Sequence, residues 1–236
     1  MEELIKIAEN IRDEEIKNVV LDILKTPVLT FTNAKPLIDI YTSPAAPRKH
    51  HFFTGGLILH TLSVVKIALQ LSRIYREHYG IQLDEDLVIA VALLHDIYKY
   101  YQYAVDEVNG GYKARDDWYL SHDYAVVAEL SRRNAPDKLI RAITEVHGLV
   151  PFSTLEGLIV HLADSVDARF GEFLQNVLIN RIRDIEKTSC PPFKALDIAI
   201  RGYGIKNIVD IGFTRPDQFR ELLGKICAEN MDKKSP

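Results

Sequence analysis

Apolar residues recur every three or four positions along most of this chain, which is the spacing of one face of an α-helix. Strict alternation of apolar and polar residues, the signature of a half-buried strand, is not sustained in the sequence. The pattern therefore predicts an all-α fold. The predicted helices cover residues 2–25, 37–41, 54–78, a segment from about 84 through 99, and residues 121–134, 136–148, 154–187, 193–201 and 216–230.

Residues with special backbone preferences mark the ends of several predicted helices. Pro27 stops the first helix, and Gly80 follows the last periodic residue of the helix that begins at residue 54. Ser121 is a good N-cap for the helix that follows it. Between the helices, residues 28–50 predict an ordered surface connection, and the tyrosine-rich residues 101–118 predict a loop or a small hairpin that covers a site.

The longest predicted helix, residues 154–187, carries an apolar stripe that we expect to face the core. Three ionisable residues, His161, Asp164 and Asp167, lie along the flank of this stripe at successive i, i+3 positions. We expect Asp167 to pair with a nearby base. The stripe consists of Leu155, Leu158 or Ile159, Leu162, Val166, Phe170, Phe173, Val177 and Ile182.

Length and composition favour one soluble domain over residues 1–236. The chain has 236 residues, 47% of them hydrophobic, and no tract that resembles a flexible linker. Its formal net charge of −4 argues against nucleic-acid binding driven by overall charge. No signal peptide is visible, and no stretch has the ~18 uninterrupted apolar residues of a membrane span. We therefore expect a cytoplasmic protein that does not associate with membranes.

The two cysteines, Cys190 and Cys227, lie far apart in the sequence, without the close spacing of a metal site. We interpret them as reduced thiols of a cytosolic protein. A disulfide between them is the alternative.

Two adjacent residues that can bind metal, His95 and Asp96, end an apolar run, and Lys99 follows within one helical turn. On a helix, His95 points to the side of the buried residues before it, and Asp96 is rotated from it by about 100°. Ionisable residues on an apolar helix need compensation, which a metal ion with a bound anion would provide. The alternative is a hydrogen-bonded core histidine beside an Asp96–Lys99 salt bridge.

Further His and Asp residues occupy inward-facing helical positions, and together they follow the order H…HD…H…H…D. In chain order these residues are His60, His95, Asp96, His122, His147 and Asp164. Residues 95–99 form an HDxxK element, and residues 162–167 carry the last aspartate. This set resembles the HD superfamily of metal-dependent phosphohydrolases, and the resemblance covers roughly residues 44–187.

The resemblance implies a helical bundle with a metal site between its central helices. Residues 44–187 would form the core that carries the signature, residues 1–43 an N-terminal helix and connection, and residues 188–236 a C-terminal helical extension. Residues 44–64 are most similar to the HD domain of bacterial 3′→5′ exoribonucleases. Those enzymes carry an oligonucleotide-binding OB-fold domain ahead of the HD domain, which we do not expect from the short, helical residues 1–43.

The resemblance also implies a set of metal ligands. One divalent ion would be bound by His60, His95, Asp96 and Asp164, and a second ion, shared through Asp96, by His122 and His147. Imidazole and carboxylate ligands suit Mn²⁺, Fe²⁺, Ni²⁺ or Zn²⁺, and Mg²⁺ stays open. Structural roles are the alternatives: His122 begins a helix and could be solvated, and His147 could be favoured by a helix C-terminus.

A short basic cluster, Arg48, Lys49, His50 and His51, precedes the helix start at Gly55 and Gly56. Backbone N–H groups at such a start attract anions. We therefore expect the cluster to contact a substrate phosphate, with a solvated basic loop as the alternative.

These residues predict an enzyme that hydrolyses phosphomonoester or phosphodiester bonds of a nucleotide-like substrate through a metal-activated hydroxide. Asp96 and Lys99 would be its catalytic residues, with Lys99 neutralising charge on the phosphorus. Two alternatives remain: a 3′→5′ exonuclease on short RNA or DNA, and a non-hydrolytic module that binds a nucleotide. The intact ligand set argues against the second alternative. The sequence does not determine the oligomeric state.

Overall fold

The computed structural model describes residues 1–183 and 190–231, and in this part of the chain the architecture is all-α, as predicted. The α-helices are α1 Glu2–Ala8, α2 Glu14–Lys25, α3 Gly56–Tyr79, α4 Glu85–Leu94, α5 His122–Arg132, α6 Asp137–Glu145, α7 Leu155–Arg183, α8 Pro192–Tyr203, α9 Ile205–Thr214 and α10 Pro216–Met231. A short 3-10 helix spans Lys99–Gln102, and a hairpin consists of β1 Tyr103–Val105 and β2 Tyr112–Ala114.

The N-terminal segment forms two helices where the sequence pattern predicted one. The Asp13 side chain accepts hydrogen bonds from the N–H groups of Glu15 and Ile16 and so caps α2. Asp86 of α4 accepts hydrogen bonds from the N–H groups of Arg12 and Asp13, at 3.1 and 3.0 Å. The single predicted helix is therefore wrong, because a partner distant in sequence holds the break.

The connection between α2 and α3 contains no helix, so the short helix predicted near residues 37–41 is also wrong. The Asp39 side chain accepts a hydrogen bond from the N–H of Tyr41 at 2.8 Å, and the Asp39 carbonyl accepts one from the N–H of Thr42. An aspartate that bonds to the backbone just after it favours a turn over a helix.

Three helices, α3, α4 and α7, pack against one another in the centre of the bundle. Helix α4 is buried along residues 86–94, which explains why its sequence is apolar on every side. Asp84 caps it by accepting a hydrogen bond from the N–H of Leu87 at 3.1 Å. Its apolar run ends in the middle of the core, where His95 is the C-cap and Asp96 follows.

By length and mean hydropathy, α3 is the one helix of the described ranges that could cross a membrane. The core helix of a soluble protein meets the same criteria. Here α3 contacts both α4 and α7, and its buried residues include the polar side chains of His60, Thr61 and Ser72.

The longest helix, α7, buries a different face from the predicted one. Val166, Phe170 and Phe173 of the predicted stripe are 53%, 61% and 59% exposed. Close approach of a neighbouring segment explains the difference, because a Cβ on Gly171 would lie 2.5 Å from Cε1 of His51. The buried face consists of Gly157, Ile159, Val160, Ala163, Asp167, Gly171, Gln175, Leu178, Ile179 and Ile182.

The tyrosine-rich segment after α4 contains the antiparallel hairpin, in which Tyr103 pairs with Ala114. The hydroxyl of Tyr112 lies 2.8 Å from the Thr54 hydroxyl, just before α3. The hairpin is therefore tied to the start of α3, next to the predicted basic cluster.

The C-terminal helices α8, α9 and α10 build a second hydrophobic cluster with the C-terminal half of α7. Leu178, Leu196 and Phe219 lie at its centre, each at most 1% exposed. The sequence pattern did not predict helix α9, which begins directly after Gly204, a residue with a φ of 78°. The predicted continuation of α7 over residues 184–187 lies outside the described residues.

Cys190 and Cys227 form a disulfide, with their Cα atoms 5.5 Å apart. This corrects the interpretation of both residues as reduced thiols and selects the alternative. The bond joins the segment before α8 to α10 within the second hydrophobic cluster.

The disulfide predicts that the unreduced, denatured protein has no titratable thiol. Replacing both cysteines by serine should lower the free energy of unfolding by about 2–4 kcal/mol, because the bond closes a long loop. Thiol titration and urea unfolding test these expectations, with reduced wild-type protein as the control. Two titratable thiols in the unreduced protein would contradict the assignment.

Candidate metal centre

The side chains predicted to bind metal meet in the centre of the bundle, although they are spread over about 100 residues of sequence. His60 comes from α3, His95 and Asp96 directly follow α4, His122 begins α5, His147 lies just after α6, and Asp164 comes from α7. His60, His95 and Asp96 are at most 1% exposed.

One oxygen of Asp96 faces a first group of ligand atoms. Its Oδ2 lies 3.3 Å from Nε2 of His60 and 3.4 Å from Nε2 of His95. Oδ1 of Asp164 lies 3.1 Å from the same His60 nitrogen and 3.9 Å from that of His95. One ligand atom from each of these four residues lies within 4.8 Å of all the others. This set of donors can hold one ion.

The other oxygen of Asp96 faces a second group. Its Oδ1 lies 3.2 Å from Nε2 of His122 and 3.6 Å from Nε2 of His147. Oδ1 of Asp123 lies 3.1 Å from each of these two nitrogens. Because its two oxygens face different groups, Asp96 has the geometry of a ligand that bridges two ions.

Most of these atoms are buried and have no hydrogen-bond partner within the described part of the chain. They are Nε2 of His60, His95, His122 and His147, Oδ1 of Asp96, and Oδ1 of Asp123. They approach one another closely, but not in the alignment of hydrogen bonds. Buried polar atoms without a partner are costly, and a divalent cation accepts nitrogen and oxygen donors together. The residues therefore fit a divalent metal centre.

Asp96 is ionised in spite of complete burial. Burial by itself raises the pKa of its carboxyl group, but Lys99 and the surrounding histidines hold the pKa well below its usual value. Nζ of Lys99 lies 2.6 Å from Oδ2 of Asp96. Burial opposes the charge of Lys99 as well, and Asp96 more than compensates, so the pKa of Lys99 is raised. The pair carries both charges at neutral pH.

Three carboxylates surround the ring of His60, those of Asp96, Asp164 and Asp167. Burial by itself lowers the pKa of His60, but the nearby carboxylates, Asp164 first among them, raise it to about 10. Without another cation, the ring therefore keeps a proton between these carboxylates. A metal ion on Nε2 would replace that proton.

The rings of His95, His122 and His147 are neutral, because burial lowers the pKa of each. Nδ1 of His95 donates to the carbonyl of Ala92 at 2.8 Å, which leaves the lone pair of Nε2 for the centre. Neutral imidazole is the form that binds metal.

Asp167 pairs with a base, as the sequence suggested, and that base is His60. Its Oδ2 accepts a hydrogen bond from Nδ1 of His60 at 2.7 Å and lies 3.5 Å from Nε2 of His51. A carboxylate on the far nitrogen of a metal-binding histidine fixes the ring and increases its basicity. Asp167 thus orients His60 toward the centre.

His50 and His51 lie beside His60, with ring centroids 5.0 and 5.4 Å from that of His60. Burial lowers the pKa of His50 to about 3 and that of His51 to about 4, so both rings are neutral at physiological pH. The backbone of His51 has a φ of 45°, and a Cβ on Gly56 would lie 1.9 Å from the His51 carbonyl oxygen. Glycine at position 56 is therefore required for this segment to reach the centre.

The two basic residues of the predicted cluster lie differently. The guanidinium of Arg48 donates to Oδ2 of Asp106 at 2.7 Å and stacks over the ring of Phe193 at 5.1 Å. Lys49 is exposed. The structure therefore brings His50 and His51 to the centre but directs Arg48 toward the loop of the hairpin.

Asp123 is the residue of the centre that the sequence argument missed. It follows His122 in the first turn of α5, where an acidic residue is also favoured by the helix dipole. Only the position of His147, just after α6, shows that the Asp123 carboxylate faces two imidazoles. The adjacent histidine was the available signal.

The chain matches the HD domain over residues 57–169. It is 37% identical over 201 residues to the dihydroneopterin 2',3'-cyclic phosphate phosphodiesterase of Methanocaldococcus jannaschii. The alignment covers 84% of this chain and 80% of that protein. No solved structure matches the chain significantly.

The chain is also similar to bacterial 3'-5' exoribonucleases named YhaM. It is 28% identical over 162 residues to the Bacillus velezensis protein and 28% identical over 163 residues to the Bacillus subtilis protein. In both alignments, 61% of this chain matches 48% of the relative. The chain thus spans about half the length of these exoribonucleases.

Replacing Asp167 by Asn should weaken divalent-metal binding by about 10- to 100-fold, because His60 loses the carboxylate that orients it. Titration of the metal-depleted protein with Mn²⁺ measures the affinity, and circular dichroism verifies the fold. Asp116→Asn, at an exposed aspartate, is the matched control. Equal Mn²⁺ affinity in the two variants would contradict an orienting role for Asp167.

Proposed function

Because the chain belongs to the HD-domain family of metal-dependent phosphohydrolases, we propose that it is a phosphodiesterase that opens the cyclic phosphate of a small, nucleotide-like substrate. The observation that carries this proposal is the position of the buried Asp96 carboxylate. Its Oδ2 faces Nε2 of His60 and His95, its Oδ1 faces Nε2 of His122 and His147, and none of these nitrogens has a hydrogen-bond partner among the described residues. The similarity to a cyclic phosphate phosphodiesterase over most of both chains supports the choice of substrate class.

The ligand sets support two divalent ions. The first ion would be held by His60, His95, Asp96 and Asp164, and the second by Asp96, His122 and His147, with Asp123 as a further ligand. Imidazole and carboxylate donors suit Mn²⁺, Fe²⁺, Ni²⁺ and Zn²⁺, and the carboxylates alone would also suit Mg²⁺. When bound, the ions supply Lewis acidity and lower the pKa of water.

The protein's own groups would act on the substrate around this centre. Lys99 stays protonated beside Asp96 and would offset the negative charge that develops on the phosphoryl oxygens. His50 and His51 are neutral, so they would contact the phosphate as hydrogen-bond donors instead of as cations. Lys49 is free to contribute charge, whereas Arg48 is held by Asp106.

A second candidate is a 3′→5′ exonuclease, which the similarity to the exoribonucleases favours. Tracking of a polynucleotide requires several phosphate contacts, and binding then weakens steeply between about 50 and 200 mM salt. This chain is acidic overall, and Arg48, one of the two basic residues clustered at positions 48 and 49, forms a salt bridge with Asp106. Activity that rises with oligonucleotide length and falls steeply with salt would select the exonuclease.

Replacing Asp96 by Asn should reduce turnover of 2′,3′-cyclic nucleotides by at least about 100-fold, because both ion sites lose their shared ligand. Turnover is measured with Mn²⁺ on 2′,3′-cyclic nucleotides, bis-p-nitrophenyl phosphate and short oligonucleotides. Asp116→Asn serves as the control for a surface change. Unchanged turnover in folded Asp96→Asn protein would disprove this active site.

Metal content should depend on the two histidines of the second group. Elemental analysis of wild-type protein is expected to approach two ions per chain, and that of the His122→Ala, His147→Ala double variant about one ion, because the first group is intact. His78→Ala, at an exposed position on α3, controls for the loss of a histidine outside the centre. If wild type and the His122, His147 variant both hold one ion, the binuclear assignment fails.

A further inference from the structure

A cavity lies next to the metal centre, between α3, α7, α8 and the segment that follows His51. Its volume is ≈ 180 Å³, somewhat larger than the ~150 Å³ cavity that accommodates a benzene ring in another protein. Its walls are mainly aromatic and aliphatic, and include Phe52, Phe53, Phe170, Leu174, Leu196 and Ile200. Such walls suit a flat, apolar ring face.

One polar side chain in this lining has no partner. Gln175 is 5% exposed, and neither its amide nitrogen nor its amide oxygen forms a hydrogen bond with any described residue. Leaving a buried donor and acceptor unpaired costs free energy for each of them. The side chain lines the cavity, and a rotation of its terminal amide toward the cavity would let a ligand satisfy both groups.

Gln175 lies on the same helix face as a residue of the metal centre. Asp167, Gly171 and Gln175 follow one another at intervals of four residues along the buried side of α7. Asp167 contacts His60 of the centre and also lines the cavity. Eight residues of helix separate Asp167 from Gln175 by about 12 Å, which a nucleotide-sized molecule spans between its phosphate and the far edge of its base.

We propose that the cavity binds the heterocyclic ring of the substrate and that Gln175 recognises its edge through paired hydrogen bonds. The proposal rests on the proposed function, because it places the phosphate at the metal centre. The ring would be a purine, a pterin or a pyrimidine, since each of these has an adjacent donor and acceptor on one edge.

The composition of the walls selects this class of ligand over a purely apolar one. An acyl chain or an aliphatic side chain would fill the cavity but leave both amide atoms of Gln175 unpaired. A planar heterocycle satisfies the amide with its edge and the aromatic walls with its faces. Phe170 lines the cavity and is 61% exposed, so the ring would enter from solvent beside this side chain.

The first experiment compares wild-type protein with Gln175→Met, which keeps the length of the side chain and removes the donor and the acceptor. Calorimetry with guanosine and with dihydroneopterin, neither of which carries a phosphate, is expected to show a Kd about 10- to 100-fold weaker in the variant. For 2′,3′-cyclic GMP, KM should rise by a similar factor with kcat within about twofold, because ground state and transition state lose the same contact.

Two controls separate recognition of the ring from catalysis. The loss of kcat/KM in Gln175→Met should be larger for 2′,3′-cyclic GMP than for bis-p-nitrophenyl phosphate, since the rings of the latter carry no edge with an adjacent donor and acceptor. Gln70→Met, at an exposed position on α3, should change none of these values. Ile200→Phe fills the cavity from the opposite wall and should abolish guanosine binding; thermal unfolding verifies that each variant is folded.

Equal guanosine and dihydroneopterin affinities in wild type and folded Gln175→Met would overturn the proposal, as would the absence of binding of either ring to wild type. Ring binding without hydrolysis of any phosphodiester would support the cavity assignment and disprove the proposed function instead. Hydrolysis of bis-p-nitrophenyl phosphate without ring binding would disprove the cavity assignment alone.

Discussion

An ionised carboxylate at the centre of an apolar bundle is the constraint on which the rest of this structure depends. Asp96 is fully buried at the end of a helix with no polar face, where an uncompensated charge would be prohibitively costly. Lys99 provides one compensating charge, and the imidazoles of His60, His95, His122 and His147 surround the carboxylate. The helices are arranged so that their polar residues converge on this one side chain.

Local pattern was sufficient to predict most helices and failed where distant contacts decide the outcome. Helix α3 was predictable because Gly80 ends it and its periodic apolar face is unbroken. The break before α2 was not, because Asp86 holds the N–H groups of Arg12 and Asp13 from another helix. The buried face of α7 includes Gly171, because the absence of a side chain there lets the His51 ring pack against the helix. The sequence pattern does not reveal this contact.

The same distinction applies to the centre. The order of histidines and aspartates pointed to the residues that cluster here, because each follows or lies within an apolar helical pattern, where a buried polar group is costly unless it has a partner. Asp123 gave no such signal, since an aspartate in a first helical turn is expected without any ligand. Gln175 gave none either, because a glutamine within a long helix is ordinary until both amide atoms prove buried and unpaired. Sequence spacing indicates candidate ligands, whereas only packing shows which neighbours complete the site.

The N-terminal half of helix α7 packs in the main hydrophobic core and its C-terminal half in the second hydrophobic cluster. This separation of the two halves has an evolutionary consequence. Its first half supplies Asp164 to the metal centre, while the cavity beyond Gly171 is walled by Leu196 and Ile200 of the C-terminal cluster. Substitutions in α8 can therefore reshape the cavity without moving a residue of the candidate metal centre. A lineage could exchange one heterocycle for another while its hydrolytic chemistry is inherited intact, so that relatives diverge in what they cleave sooner than in how they cleave it.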